Sequence, residues 1–168
     1  MRTPDEIMGK AELKYESERW KIDLGNVTMR GTTSIALCCC AQVVPWTVEN
    51  PRLSMLWLAP PMLHLARRRI VNETVLDFCM YGTSWKKPTK LLGAFVSFEL
   101  VSKRCHASGK CCERSGASHI ALTGANENGI FMTKVAEAYP RRFAMALART
   151  LVNGVKNLQA SSWASVLR

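Results

Sequence analysis

Helical and extended apolar patterns alternate along the middle of the chain. A helix repeats its apolar side chains every three or four residues, whereas a strand repeats them every second residue. The patterns predict, in order, a helix at 27–43, a strand at 44–50, a helix at 60–66, and strands at 74–79 and 89–98. This order of elements is typical of an α/β fold with a partly parallel sheet.

The end of the chain carries the most regular helical pattern. Pro140 suits the first turn of a helix, and Gly154 is placed to end it. The apolar stripe between them consists of Phe143, Ala144, Leu147, Ala148, Leu151 and Val152. We therefore divide the chain into a peripheral lead-in at 1–24, an α/β domain at 25–155 and a tail at 156–168.

Basic charge is concentrated in the later part of the chain. The first 50 residues hold six Lys/Arg and seven Asp/Glu, whereas the remaining residues hold 17 and six, so the formal net charge is +10. An apolar fraction of 48% argues against general disorder and predicts a buried core. The excess of cations predicts an acidic partner, and by itself it does not distinguish nucleic acid, an anionic cofactor and a membrane surface.

Neither secretion nor a membrane span is expected. The first ten residues include acids and lack the apolar core of a signal peptide. The longest uncharged stretch, residues 31–48, contains polar residues and Pro45, so it predicts a helix followed by a strand. Seven cysteines, three of them adjacent, are a poor disulfide framework. We expect an intracellular protein, nuclear or cytoplasmic, with reduced thiols.

A small basic insert is predicted at residues 99–118, where neither period is present. Its cysteines and the flanking residues offer a Cys₃His set for zinc, made up of Cys79, Cys105, Cys112 and His119. The gaps between these residues exceed the two to four residues typical of structural zinc sites. Reduced thiols in a surface loop are the alternative interpretation.

Aromatic and basic residues are interleaved just before the insert. The group consists of Tyr81, Trp85, Lys86, Lys87 and Lys90. Lysines bind phosphate as point charges and an indole can stack on a base, so one interpretation is contact with a nucleic-acid strand. In the alternative interpretation Trp85 packs on the edge of the core and the lysines are solvated.

A candidate catalytic acid, Glu49, stands at the carboxyl end of the first predicted strand. Ligands of open α/β sheets bind beyond the carboxyl ends of the strands, which favours chemistry there. A solvated loop acid is the alternative. The sequence contains no recognisable nucleophile motif, no evident pair of carboxylates and no glycine-rich nucleotide loop.

The order of three motifs resembles the carboxyl-terminal half of cytosine-5 DNA methyltransferases. The motifs are Trp46-Thr47-Val48-Glu49-Asn50-Pro51, the stretch from Asp77 to Thr89, and residues 133–140, and the resemblance covers about 25–152. It implies a partial Rossmann-like methyltransferase sheet, S-adenosylmethionine as the family's cofactor and DNA as its substrate. Glu49 matches the glutamate that hydrogen-bonds the target cytosine, Asn50 follows it, and Lys86 and Lys87 fall near a basic pair of the family.

Two parts of the machinery of that family have no counterpart in this sequence, the Pro-Cys loop with the nucleophile and the glycine-rich cofactor loop. The resemblance therefore implies a fragment or degenerate form of a nucleic-acid methyltransferase that is inactive alone. A rival prediction is a zinc-stapled basic module that binds nucleic acid or protein without catalysis. A third is a domain whose sheet is completed by another chain.

Overall fold

The computed structural model describes residues 3, 5–10, 15–107 and 111–160, and the backbone of 161–166. Its helices and strands are α1 (Glu16–Ala41), β1 (Trp46–Pro51), α2 (Pro60–Ala66), β2 (Val71–Asp77), β3 (Pro88–Ala94), α3 (Met132–Val135) and α4 (Arg141–Val166). Short 3₁₀ turns occupy Met55–Leu58 and Phe78–Tyr81. The mixed α/β class is confirmed, and α1 begins within the segment expected to be a lead-in.

The sheet has three strands in the order β1, β3, β2, so the last strand in the chain lies in the centre. Both ladders are antiparallel, and Leu91 of β3 lies opposite Glu49 on one side and Thr74 on the other. The expectation of a partly parallel sheet is therefore wrong for the described strands. The short connection 78–87 between β2 and β3 explains the difference, because parallel neighbours need a long crossover. A Rossmann-like sheet stays a prediction.

Helices α1 and α2 cover one face of the sheet. Trp46, Leu92 and Ala94 of the strands pack with Met62 and Leu65 of α2. Helix α1 contributes its buried residues at helical spacing, namely Met29, Thr33, Ala36 and Cys40. Its outer face instead exposes Trp20, Leu24, Val27 and Ile35. Among the described residues, no helix is both long enough and apolar enough to cross a membrane.

Helix α4 packs against the other core cluster, where Phe143 lies beside Leu76, Phe78 and Leu91. The helix continues beyond Gly154 to Val166, so the expectation that Gly154 ends it is wrong. A Cβ at Gly154 would lie 2.5 Å from the carbonyl oxygen of Phe95. This glycine therefore serves the close approach of α4 to the chain after β3, and it does not form a helix cap.

Candidate metal centre

Four side chains that could bind a metal meet beside the end of β2. Cys79, Cys105, Cys112 and His119 place their ligating atoms within 4.8 Å of one another. Cys79 lies in the 3₁₀ turn after β2, whereas the others lie in the insert and just beyond it. The structure thus brings together the Cys₃His set predicted from the sequence.

The spacing of the ligand atoms is compatible with a tetrahedral site. Zinc–sulfur bonds of about 2.3 Å correspond to distances of about 3.8 Å between ligand atoms. Cys105 Sγ and His119 Nε2 are 3.9 Å apart. The three cysteines are free thiols and are 0%, 2% and 4% exposed for Cys79, Cys105 and Cys112. Soft sulfur ligands with one imidazole suit zinc, so the donor set fits this metal.

Cys105 is held in place by residues of the sheet and of the loop before β3. Asp77, the last residue of β2, accepts a hydrogen bond from the Cys105 N–H at 2.9 Å. The same carboxylate oxygen accepts one from Nε of Arg104 at 3.0 Å. On the other side, Nζ of Lys86 donates to the carbonyl oxygen of Cys105 at 2.8 Å. The position of this ligand therefore depends on contacts with elements distant in sequence.

Cys112 lies in a tight turn that leads to His119. Its N–H donates to the carbonyl oxygen of Ala117 at 2.7 Å, and its own carbonyl oxygen accepts from the N–H of Gly116 at 2.7 Å. The neighbouring Cys111 is exposed and does not belong to the cluster. The turn thus selects one of two adjacent cysteines as the candidate ligand.

Electrostatics within the cluster favour a bound cation. Burial, together with the hydrogen bonds and charge of Cys105 and Cys112, raises the pKa of Cys79 to about 12. Burial also raises the pKa of Cys112, but backbone hydrogen bonds from Ser115 and Arg114 outweigh it and lower this pKa to about 6. One thiolate therefore forms easily while its neighbour resists ionisation. A divalent cation would stabilise several thiolates together.

The lysines predicted to bind nucleic acid contact the protein itself. Besides Lys86, described above, Nζ of Lys87 donates to the carbonyl oxygen of Ala136 at 3.0 Å. Nζ of Lys90 forms an ion pair with Glu73 at 2.6 Å. These bonds engage all three ammonium groups inside the molecule. Their role in binding nucleic acid stays a prediction.

Glu49 and Asn50 lie apart from the metal cluster. Oη of Tyr139 donates to Oε2 of Glu49 at 2.6 Å, while Oε1 of Glu49 is buried and has no hydrogen-bond partner among the described residues. Both predicted residues line a cavity of about 510 Å³ between α1 and β1. The predicted Tyr81 and Trp85 line a different cavity. The structure therefore divides the predicted substrate residues between two places.

Two arginines that the sequence patterns did not associate with the insert lie close to it in space. Arg141 and Arg142 begin α4 and line the same cavity as Arg114. Cations in the first turn of a helix are unfavourable because the helix dipole is positive at that end. The first turn of α4 has no acidic residue to offset them. Two cations in the first turn of a predicted helix were therefore the signal in the sequence that could have singled out Arg141 and Arg142.

The candidate metal ligands thus come from the turn after β2 and from residues 105–119, and the basic side chains that line the neighbouring cavity come from the insert and from the start of α4. Zinc fits the donor set, and no described contact supplies a competing bond such as a disulfide within the cluster. The chemistry of this site is inferred from geometry alone, since comparisons of the chain with protein-family models, with curated proteins and with solved structures find no match.

Proposed function

We propose that this chain is a non-catalytic nucleic-acid-binding module in which zinc holds a basic insert against the sheet. The observation that carries the proposal is the convergence of Cys79, Cys105, Cys112 and His119 within 4.8 Å. Their donor atoms match a structural zinc site in type and in number. The insert has no helix or strand among its described residues, so a metal would supply order that hydrogen bonds alone supply weakly.

The proposed zinc has a structural role because all four positions of a tetrahedron are filled by protein atoms. Catalytic zinc sites usually have three protein ligands and leave the fourth position to water or substrate. Here three of the four ligands are buried and the fourth, His119, is partly buried. A site whose four positions are all taken by protein ligands can hold a loop in place, but it leaves no position for the water that hydrolysis needs.

The charge of the chain supports a polyanionic partner. The net charge is +10, and residues 86–114 contain seven of the basic side chains. Within the insert, Lys103 and Arg114 are exposed, whereas Arg104 forms an ion pair with the buried Asp77. Lys110 lies outside the described residues. Lys103 and Arg114 are therefore the insert's described candidates for contacts with phosphate.

The metal part of the proposal is tested by elemental analysis of the full chain purified under reducing conditions. We expect one zinc per chain, and we expect Cys112→Ser to abolish it. Cys111→Ser is the matched control, because it changes the adjacent exposed thiol and leaves the cluster intact. A chain without zinc whose seven thiols all react freely would refute this part.

The nucleic-acid part is tested by fluorescence anisotropy with labelled single-stranded and double-stranded oligonucleotides. Binding through phosphate contacts should weaken steeply as salt increases, with a slope that counts the contacts. Removal of zinc should weaken it further, because the insert then loses its support. Affinity that is independent of salt, or no binding at low salt, would contradict the proposal.

A second candidate is a degenerate cytosine methyltransferase domain. It is favoured by one observation, the cavity of about 510 Å³ that Glu49 and Asn50 line at the end of β1. S-adenosylmethionine would be the cofactor, as in the family that the sequence resembles. The antiparallel sheet counts against it. Transfer of tritium from S-adenosylmethionine to DNA by this chain alone would refute the predicted inactivity and revive an enzymatic role.

A further inference from the structure

A basic cavity of about 530 Å³ lies between the loop after the 3₁₀ turn, the metal-binding insert and the start of α4. The lining residues important here are Thr83, Ser84, Trp85, Arg114, Arg141 and Arg142. Its volume is in the range of about 300–1,000 Å³ found for ligand sites. We propose, on the basis of the function above, that the cavity holds one phosphate of a single-stranded nucleic acid, with the neighbouring base stacked on Trp85.

The charge of the cavity favours an anion. It is lined by three guanidinium groups and by no carboxylate. Across the described ranges of the chain, the ion pairs that form involve none of these three arginines. Arg141 and Arg142 also lie at the positive end of the α4 dipole. A phosphate would relieve the mutual repulsion of these groups, and guanidinium groups bind it in a bidentate manner.

Arg114 connects the cavity with the metal centre. Its Nε donates to the carbonyl oxygen of the candidate ligand Cys79 at 2.7 Å, which leaves the outer nitrogens of the guanidinium for a ligand. Just beyond the insert, the N–H of Ile120 donates to the carbonyl oxygen of Ser84 at 2.9 Å. One wall of the cavity is thus built on the segment that zinc would hold.

Trp85 gives the cavity an aromatic wall and an unused donor. Oγ1 of Thr83 donates to the carbonyl oxygen of Trp85 at 2.8 Å and so fixes the loop. The indole Nε1 is buried and finds no acceptor within the part of the chain that the structure describes. A flat indole beside phosphate-binding cations is the arrangement by which proteins bind single strands, because unpaired bases expose their faces for stacking. These features favour a single strand over a duplex.

The experiment measures the anisotropy of a labelled oligothymidine titrated with the zinc-loaded full chain. The main variant is Arg141→Gln with Arg142→Gln. Its matched control is Arg67→Gln with Arg68→Gln, which removes the same charge from exposed residues after α2. We expect the main variant to bind at least about tenfold more weakly, and its salt slope to fall by about 0.7, because the two arginines share one phosphate. The control should retain both values.

Trp85 supplies an independent measurement. Trp85→Ala should weaken binding about tenfold through the loss of stacking, whereas Trp85→Phe should retain most of the affinity. Zinc content should equal that of the unchanged chain in every variant, because no candidate ligand is altered. Equal losses in the arginine variant and in its control, or no loss for Trp85→Ala, would overturn the proposal.

Two further arms separate this inference from the proposed function. Calorimetry with pyrophosphate tests the cavity alone. If the chain binds pyrophosphate through Arg141 and Arg142 but does not bind oligonucleotides, the phosphate site stands and nucleic-acid binding is refuted. No binding of either probe would overturn both. Vesicles of anionic phospholipid form the second arm, and tighter binding to them than to the oligonucleotide would refute the assignment to nucleic acid.

Discussion

Replacing Cys112 by serine should remove the metal and destabilise the fold, whereas the same change at Cys111 should do neither. The two residues are adjacent, so their replacement alters composition and local chain propensity almost identically. They differ in position, since Cys112 belongs to the buried cluster and Cys111 is exposed. Any difference between the variants therefore reports on the metal site.

The expected magnitude follows from the loop that the metal closes. A metal bound by Cys79 and His119 links residues about 40 positions apart. Treated as a crosslink, a loop of about 40 residues stabilises the fold by about 4 kcal/mol through the entropy of the unfolded chain. Metal binding gives the same stabilisation when the free metal concentration is about 1,000 times the Kd. For a domain of this size it corresponds to a shift in Tm of about 8–16 °C.

The assay is thermal unfolding under reducing conditions, with and without a zinc chelator. The unchanged chain and Cys111→Ser should lose this stability on chelation, whereas Cys112→Ser should begin at the lower value and show no response. A reducing agent is needed because oxidised cysteines of the cluster could form a disulfide that imitates the crosslink. Equal responses of the two variants to the chelator would refute the assignment of the ligand.

Three further predictions concern the packing of α4, the ionisation of Tyr139 and the ion pair of Asp77. Gly154→Ala should destabilise the chain by about 1–3 kcal/mol, since the new Cβ meets backbone at 2.5 Å. Gly31→Ala, with open space around it, should stabilise the chain by up to about 1 kcal/mol. Urea unfolding of the two glycine variants tests this difference, and equal effects on stability would contradict the packing of α4. Partial burial and the hydrogen bond to Glu49 raise the pKa of Tyr139 from 10.0 to about 12. As pH rises, the unfolded chain loses this proton before the folded chain does, so the free energy of unfolding should fall between about pH 10 and 12. Urea titrations should show a smaller fall for Tyr139→Phe than for the unchanged chain. Parallel pH curves for the two would refute the role of Tyr139. Asp77→Asn should cost about 2 kcal/mol or more by breaking the ion pair of the buried Asp77 with the partly exposed Arg104. It should also weaken zinc binding, which a competition assay with a chromogenic chelator measures.

The elements of the fold were largely predictable from the sequence, because periodicity reflects which side chains are buried. The pairing of the strands was not, since successive side chains point to opposite faces of the sheet with the same period of two in parallel and antiparallel strands. Gly154 shows a related limit. A glycine after an apolar stripe usually ends a helix, but here it allows α4 to approach the carbonyl of Phe95, a contact that only the tertiary structure reveals.

The candidate metal ligands were predictable as a set because few residue types bind zinc. Their spacing gave a weak signal, since Cys79 precedes β3 and the others follow it, and the sheet brings them together. The basic side chains were harder to assign. Lys86, Lys87 and Lys90 are close to aromatic residues in the sequence but are engaged inside the molecule, as their hydrogen bonds and ion pair show.

The central position of β3 has a consequence for the order of folding. β1 and β2 precede β3 in the chain, yet each makes its ladder with β3 and not with the other. During synthesis, β1 and β2 therefore each lack a strand to pair with until residues 88–94 have left the ribosome. The three remaining candidate ligands, Cys105, Cys112 and His119, emerge later still. A metal could bind all four candidate ligands only after residue 119 has emerged, and a chain stopped after Asp77 should lack this sheet.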